Sequence, residues 1–285
     1  MKLLLLDEHY PPELLEGFDV VREPEEDVVA ALTRGTARVG EELFAQLPAL
    51  RVVGTATVGF DHVDVEAAEQ RGVAVVSVPD YCTQEVADHA LALLYALLRG
   101  IVVLDRDVAA GGWNPKAAGP LRTLAELRVG IVGLGRIGGA LATRLVALGA
   151  EVWAHDLLPV ERSGVRPAGL DELLAECDLV TLHVPLTRET RGLLGPERIE
   201  SMRPGALLVN TSRGEVVHVD AVLAALRSGR LGGAALDVLP REPPPDVPVA
   251  PNLILTPHAA YYSPAAEERA YRLCLARVRE VLGVV

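Results

Sequence analysis

Residues 128–156 read RVGIVGLGRIGGALATRLVALGAEVWAHD, and the parsing of that stretch decides the fold. Val129, Ile131 and Val132 form a short apolar run of the kind that fills a parallel strand buried on both faces. Ile137, Ala140, Leu141, Leu145 and Leu148 then recur at helical spacing down to Gly149-Ala150, a good helix stop. Between strand and helix lies Gly133-Leu134-Gly135-Arg136-Ile137-Gly138. Gly133 permits a tight turn, Gly135 lets the backbone approach a pyrophosphate, and Gly138 lets the helix pack closely on the strand. The N–H groups at the helix start, around Arg136 and Ile137, then face the anion. Glu151 to His155 gives a second strand that ends at Asp156, eighteen positions beyond the last glycine. A carboxylate there accepts a hydrogen bond from a ribose 2′-hydroxyl and repels a 2′-phosphate. No arginine follows before Arg162, so NAD is the expected cofactor rather than NADP. The bare glycine pattern also arises in chance turns; the strand, helix and acidic residue around this one give it weight.

The glycine turn sits near the middle of a 285-residue chain, so a unit of about domain size precedes it. That first part reads as alternating α/β, with strands at Leu3 to Leu6, Val20-Val21, Ala37 to Val39, Val52-Val53 and Val73 to Val76. Helical segments are expected between them at Val28 to Leu32, Leu43 to Leu47 and Val65 to Gln70. Gln84 to Arg99, with Thr83 as its N-cap, and a second helical stretch to about Ala110 predict one long helix or a bent pair linking the domains. Beyond Asp156, strands are expected at Leu179 to Leu182, Ala206 to Val209, Ala234 to Leu236 and Leu253 to Leu255, completing a sheet of about six strands. Pro264 to Leu282 has helical spacing and is expected to cross back onto the first domain. The predicted fold class is α/β: two Rossmann-like domains with doubly wound parallel sheets, the first domain discontinuous, at 1–94 plus 262–285 and 95–261.

Composition narrows the classes of function. The formal charge of −12 disfavours nucleic acid as a partner, because phosphate recognition relies on clustered Lys and Arg. Four leucines after Lys2 are too few for a signal-peptide core, and the apolar run Ala90 to Leu98 is far below the ~18 residues a membrane span needs. A cytoplasmic protein without a membrane partner is therefore expected. Cys82, Cys177 and Cys274 are odd in number and scattered, and read as buried reduced thiols rather than as a disulfide framework or a metal site.

Ligands of doubly wound sheets bind beyond the carboxyl ends of the strands. Sorting polar residues by that rule selects His183 and Pro185, then Asn210-Thr211-Ser212-Arg213-Gly214, then Asp237, then Thr256-Pro257-His258. Among these, Arg213, Asp237 and His258 can carry charge or move protons near a nicotinamide. Glu242 follows Asp237 in a proline-rich loop able to fold back over the same edge. Asp237 is expected to face the nicotinamide ring or ribose, with a helix or loop cap as its alternative. His9, His62, His89, His155 and His218 lack such a context and are read as structural, and His183 as a cofactor-side loop residue.

Five ordered motifs make the chain resemble the D-isomer-specific 2-hydroxyacid dehydrogenase family: the glycine turn, HVPLT at His183 to Thr187, NTSRG at Asn210 to Gly214, ALDV followed by REP at Ala235 to Pro243, and TPHAA at Thr256 to Ala260. The resemblance implies Arg213 as the substrate-binding cation, Glu242 as the partner of a histidine, and His258 as the acid/base. It also implies that Thr57-Val58-Gly59 offers backbone N–H groups to a substrate carboxylate, and that Thr211 and Ser212 lie on the cofactor side. The chemistry agrees, since reduction of a small 2-keto acid needs a hydride donor, a proton donor and a cation for the carboxylate.

Within the family, Val78 to Leu93 and Ala250 to Ala266 look most like the branch of C-terminal-binding-protein corepressors and their bacterial enzyme relatives. Those corepressors carry tryptophan in the substrate pocket where Tyr261 stands. An NAD(H)-sensing binding protein is therefore the alternative to a metabolic reductase. Formate dehydrogenases of the superfamily have glutamine in place of Glu242, which disfavours that activity. Many relatives have asparagine where Asp80 stands, with no evident consequence. Tyr81, Tyr262 and Trp113 are further candidate pocket walls. The apolar surface of Glu85 to Ala110, with Trp113 just beyond, predicts a homodimer built on residues 85–113, as the resemblance also implies.

Overall fold

The structure is a computed structural model that describes residues 1–7, 10–35 and 37–284. Contacts divide it into two compact units, residues 1–82 with 262–285, and residues 83–261. Each carries its own parallel sheet.

In the first unit the strands are β1 (Lys2–Leu5), β2 (Asp19–Val21), β3 (Val28–Thr33), β4 (Val52–Thr55) and β5 (Ala74–Val76), with helices α1 (Glu41–Gln46) and α2 (Val65–Gln70). The sheet order is β2-β1-β3-β4-β5 with every pair parallel. The segment expected as a helix at Val28 to Leu32 is the central strand β3, and the strand expected at Ala37 to Val39 is reduced to a single bridge from Val39 to Val63. A strand hydrogen-bonded on both edges and covered on both faces needs apolar residues at successive positions. A six-residue run of that kind has the same composition as a buried helical turn, and periodicity cannot separate the two. Val28, Ala30, Ala31 and Leu32 are all fully buried in β3. His9, read from the sequence as structural, lies outside the described residues.

The second unit contains α3 (Thr83–Leu98), α4 (Ile101–Ala109), β6 (Arg128–Val132), α5 (Arg136–Ala147), β7 (Glu151–His155), β8 (Val165–Pro167), α6 (Leu170–Glu176), β9 (Leu179–Leu182), α7 (Pro196–Ser201), β10 (Ala206–Asn210), α8 (Val219–Ser228), β11 (Leu231–Leu236) and β12 (Leu253–Leu255). Its sheet runs β12-β11-β10-β9-β6-β7-β8, parallel throughout. There are seven strands where about six were expected; the extra one, β8, is a three-residue edge strand ending in Pro167, tolerated there because an edge needs no second ladder. The chain reverses its direction of winding between β6 and β9, which is the switch point where such sheets open a crevice.

Helix α3 belongs wholly to the second unit, so the division falls at 82/83 and not within the helix at 94/95 as the sequence suggested. It packs on α5, β10 and β11, burying Ala87, Ala90, Leu94 and Leu97 in the core they share with Val129, Ile131 and Leu141. Gly100, at φ 59°, ends it, and α4 departs at 60°. No single described helix is long and apolar enough to cross a membrane; α3 and α4 pass by length and composition only when taken together. The three cysteines are buried and none is joined in a disulfide. Burial pushes the Cys177 thiol up to about 12 and that of Cys274 to about 11.

The last helix, α9 (Pro264–Leu282), is grouped with the first unit. Ser263 caps it by accepting from the Ala266 N–H at 3.0 Å, and Pro264 occupies the first turn, where no amide partner is lost. It packs on β4 and β5 through buried Tyr271, Cys274, Leu275 and Val278. Leu275→Ala is expected to lower unfolding stability by about 2–5 kcal/mol, read as a lower denaturant midpoint, because the helix cannot collapse into the cavity it leaves. An unchanged midpoint contradicts this packing.

Candidate active site

The glycine turn between β6 and α5 adopts the conformation for which its residues are suited. Gly133 has φ 92°, and a Cβ there would lie 2.8 Å from the carbonyl carbon and oxygen of His183, at the end of β9. The two strand ends at the switch point therefore touch backbone to backbone. A Cβ on Gly138 would stand 2.0 Å from the Gly133 carbonyl oxygen, so helix and turn also meet without side chains. Over Gly135 the situation is the reverse: nothing lies within 4 Å of a Cβ position, and no side chain caps the start of α5. Arg136 is exposed and Ile137 half-buried at that helix start.

Asp156 is set by the same turn. Its Oδ2 accepts from the Leu134 N–H at 2.6 Å and its Oδ1 from the Leu158 N–H at 2.9 Å. It borders a cleft of about 520 Å³ whose walls include Leu157, Leu158, Pro159 and Ala168. Leu157 and Leu158 are 89% and 74% exposed, an apolar shelf beside the carboxylate. Thr211 Oγ1, at the end of β10, is buried without a hydrogen-bond partner. An open cradle at a helix start, a fixed carboxylate beside an apolar cleft and an orphaned buried hydroxyl on the same sheet edge together suit a dinucleotide. Next to the turn, burial pushes the His183 imidazole down to about 4, and its Nε2 lies 2.9 Å from Thr181 Oγ1. Pro185 follows, exposed, its carbonyl accepting from Thr190 Oγ1 at 2.6 Å.

Further along the edge, three strand ends are joined in series. The Asp237 N–H donates to Asn210 O at 2.9 Å, and the His258 N–H donates to Asp237 O at 2.8 Å. Asn210 is fully buried; its Nδ2 donates to Arg213 O at 2.9 Å, while its Oδ1 accepts from the Ser212 N–H at 3.0 Å and the Ser212 hydroxyl at 2.7 Å. The turn that presents Arg213 is thus held from beneath, and Asn210 is a support that the chain position alone did not reveal. Gly214, the next residue, would place a Cβ 2.0 Å from the Leu239 carbonyl carbon. The Arg213 turn and the loop leading to Glu242 therefore press together with no room for a side chain.

His258 stands at φ 51°, a region that costs a non-glycine residue about 1–2 kcal/mol unless its surroundings enforce it. Asp237 enforces it. That side chain is buried, with Oδ1 accepting from Thr256 Oγ1 at 2.6 Å and the Ala259 N–H at 2.9 Å, and Oδ2 accepting from the Ala260 N–H at 3.1 Å. Of the two readings of Asp237, cofactor contact and loop cap, these bonds support the cap.

The aimed imidazole meets Glu242, with Nδ1 to Oε2 at 2.7 Å. Glu242 Oε1 accepts from the Leu239 N–H at 2.8 Å. Burial alone would raise the Glu242 carboxyl, but the bonds from His258 and Leu239 and the charges of His258 and Arg213 outweigh it and hold it below the usual carboxylate range. Tyr261 lies edge-on to the His258 ring, centroids 6.1 Å apart.

Arg213, Glu242, His258 and Tyr261 are accordingly gathered at one end of the second unit. Thr57, Val58 and Gly59 belong to the first, where they form a tight turn after β4 with Thr57 Oγ1 donating to Gly59 O at 2.6 Å. Tyr81 and Tyr262 also lie in the first unit, and Trp113 is 87% exposed in the second. His155 and His218 serve structure, the first beside Ala168 O at 3.2 Å, the second as N-cap of α8.

The model of the D-isomer specific 2-hydroxyacid dehydrogenase NAD-binding domain matches residues 91–260. A glyoxylate reductase from Korarchaeum cryptofilum is 39% identical over 280 residues, spanning 93% of this chain and 84% of that protein. A glycerate dehydrogenase from Methylorubrum extorquens is 38% identical over 231 residues, spanning 78% and 72%. The crystal structure of a D-lactate dehydrogenase from Aquifex aeolicus, complexed with NAD and lactic acid, superimposes with a TM-score of 0.90 at 28% identity, covering 99% of this chain and 96% of that one. With its nucleotide unit matched by the family's own domain and nearly its whole length by a relative, the chain belongs to the D-isomer-specific 2-hydroxyacid dehydrogenases, enzymes that use NAD.

Proposed function

We propose that the enzyme reduces a small 2-keto acid, glyoxylate foremost, to the 2-hydroxy acid, and that Arg213, Glu242 and His258 carry the reaction. The observation behind this is the 2.7 Å pair between His258 Nδ1 and Glu242 Oε2, on the sheet edge that also holds the glycine turn. A carboxylate at Nδ1 keeps the proton on that nitrogen, which leaves Nε2 to exchange a proton with the carbonyl oxygen. Glu242, held ionised, fixes the ring and balances its charge. Arg213 offers a planar, permanently charged fork to the substrate carboxylate, which lysine cannot reproduce. The family resemblance assigns the backbone N–H groups of Thr57-Val58-Gly59, in the first unit, to a substrate carboxylate.

Gly133, Gly135, Arg136, Ile137 and Gly138 hold the pyrophosphate, Asp156 the adenosine ribose, and His183, Pro185, Thr211 and Ser212 the remainder. When bound, NAD(H) supplies or accepts the hydride at C2. The relatives named glyoxylate reductase and glycerate dehydrogenase make glyoxylate and hydroxypyruvate the first substrates to try. They also favour a metabolic enzyme over the corepressor-like alternative, which rests on Val78 to Leu93, Ala250 to Ala266 and the aromatic ring at Tyr261. A homodimer through residues 85–113 is part of this reading. Helix α4 buries none of its residues, while Ile101, Val108 and Trp113 are 55%, 50% and 87% exposed. A light-scattering mass of twice the 30.3 kDa chain supports that dimer; the chain mass itself refutes it.

With glyoxylate, hydroxypyruvate and pyruvate tested in turn, NADH oxidation is expected with at least one. His258→Ala and Arg213→Ala are each expected to lower kcat/KM on the best acid by about 10²–10⁴-fold, the usual range for losing a proton donor or a charge-stabilising group. Arg213→Lys restores little. Near wild-type turnover in either alanine variant sinks the assignment.

His183 gives a separate check. Its folded-state value of about 4 lies below the ordinary histidine value near 6.5, so the imidazole is neutral at physiological pH. Its contribution to stability is complete above pH ~6.5 and is lost as the pH falls toward that folded value. An NMR titration of His183 is expected to show its midpoint near 4; a midpoint near 6.5 contradicts the burial.

A further inference from the structure

Beneath the His258 turn lies a second histidine, on another element and without direct contact to the proposed acid/base. His89 sits on α3, one face of which is buried against α5, β10 and β11. Its Nε2 is 3.2 Å from Thr256 Oγ1 and 3.6 Å from Asp237 Oδ1. Thr256 in turn donates its hydroxyl hydrogen to Asp237 Oδ1 at 2.6 Å, which leaves its oxygen lone pairs to accept. The bonds therefore have one consistent direction: His89 Nε2–H to Thr256, Thr256 O–H to Asp237, and Asp237 receiving the N–H groups of Ala259 and Ala260.

Two physical requirements meet in this chain. The Asp237 carboxylate is fully desolvated, and a buried charge is tolerated only with donors and a compensating group around it. Among the described residues, His89 is the group able to carry positive charge that lies within 4 Å of that carboxylate in an ion-pair geometry. His258, for its part, is held in a left-handed conformation that is uncommon for a residue with a Cβ. The same carboxylate pins the two residues after it, so its orientation sets where the imidazole points. Because α3 is a sixteen-residue helix seated on the sheet, it gives this carboxylate a reference that does not belong to the loop.

We propose that His89 is a positioning residue for the reaction: through Thr256 and Asp237 it sets the left-handed turn that aims His258 at the substrate carbonyl. This rests on the reading of His258 as the acid/base. A loosened turn still presents the cofactor edge and Arg213, so substrate binding is retained while proton transfer is slowed. Small displacements of a reacting group are costly, up to about a hundredfold for ~1 Å.

The test is steady-state kinetics on the best 2-keto acid with wild type, His89→Leu, His89→Gln, Thr256→Val, the His89→Leu/Thr256→Val double variant and His258→Ala. His89→Leu is expected to lower kcat about 10–100-fold, with KM for both substrates within about twofold. His89→Gln, whose amide N–H falls near the Nε2 position, is expected to recover kcat to within about threefold. Thr256→Val is expected to match His89→Leu, and the double variant to lose no more than either single, because one chain of bonds is broken in each case. Wild-type kcat in His89→Leu overturns the proposal, as does a loss expressed in KM alone, an equal loss in His89→Gln, or single losses that multiply in the double variant. If His258→Ala itself turns over normally, the acid/base reading fails first. If His258→Ala is inactive while His89→Leu is normal, only the role of His89 falls.

Discussion

Parallel pairing across all seven strands of the second sheet delivers every strand end to one edge, and the candidate functional groups of the second unit lie along that edge because of it. The constraint acts twice. At the switch point, the ends of β6 and β9 meet at Gly133 and His183 and leave the start of α5 open above Gly135. Farther across, β10, β11 and β12 end side by side, and the backbone bonds from Asp237 to Asn210 and from His258 to Asp237 tie together the segments that leave β11 and β12. The arginine turn, the aspartate and the histidine turn are therefore in register as the sheet is, and chemistry that needs fixed distances between them inherits the stiffness of the sheet.

A rigid edge does not by itself aim a side chain. Here buried polar groups do so, each with its hydrogen bonds satisfied by neighbours that are themselves fixed. Asn210 spends both ends of its amide on the Arg213 turn, and Asp237 spends both oxygens on the turn that carries His258. Removing one partner from such a network leaves the other desolvated and unpaired, which costs more than the bond itself returned. Glu242 differs. Half-exposed and held below the ordinary carboxylate range by His258, Leu239 and Arg213, it contributes charge where the others contribute geometry.

Much of this was legible in the chain because local chemistry and global fold demand the same residues at the glycine turn, at Asp156 and at the strand ends. The parallel-sheet edge follows from alternating strands and helices, and it points to Arg213, Asp237 and His258, with Glu242 in the loop beyond; the roles of Arg213, Glu242 and His258 come from the family resemblance. Where the reading failed, two structures wrote the same pattern. Val28 to Leu32 is a continuous apolar run that a central parallel strand and a buried helix share equally, and only its neighbours β1 and β4 decide between them. The edge strand β8 is three residues ending in proline and carries no periodicity. Helix α3 was recognised, but its unit was not, because the sequence shows an apolar face without showing which sheet covers it. Gly214 and His89 belong to a further class: their roles depend on residues tens or hundreds of positions away, Leu239 beside Gly214 and Thr256 beside His89.

In the proposed reaction His258, paired with Glu242, and Arg213 act on the two ends of a bound 2-keto acid. A crystal structure of the enzyme with NAD and oxamate, an unreactive analogue of pyruvate, tests it most directly. His258 Nε2 is expected within hydrogen-bond distance of the oxygen standing for the reacting carbonyl, and the Arg213 guanidinium on the carboxylate. Oxamate bound on this edge with its carboxylate away from Arg213, or with another residue at the carbonyl oxygen, would contradict it.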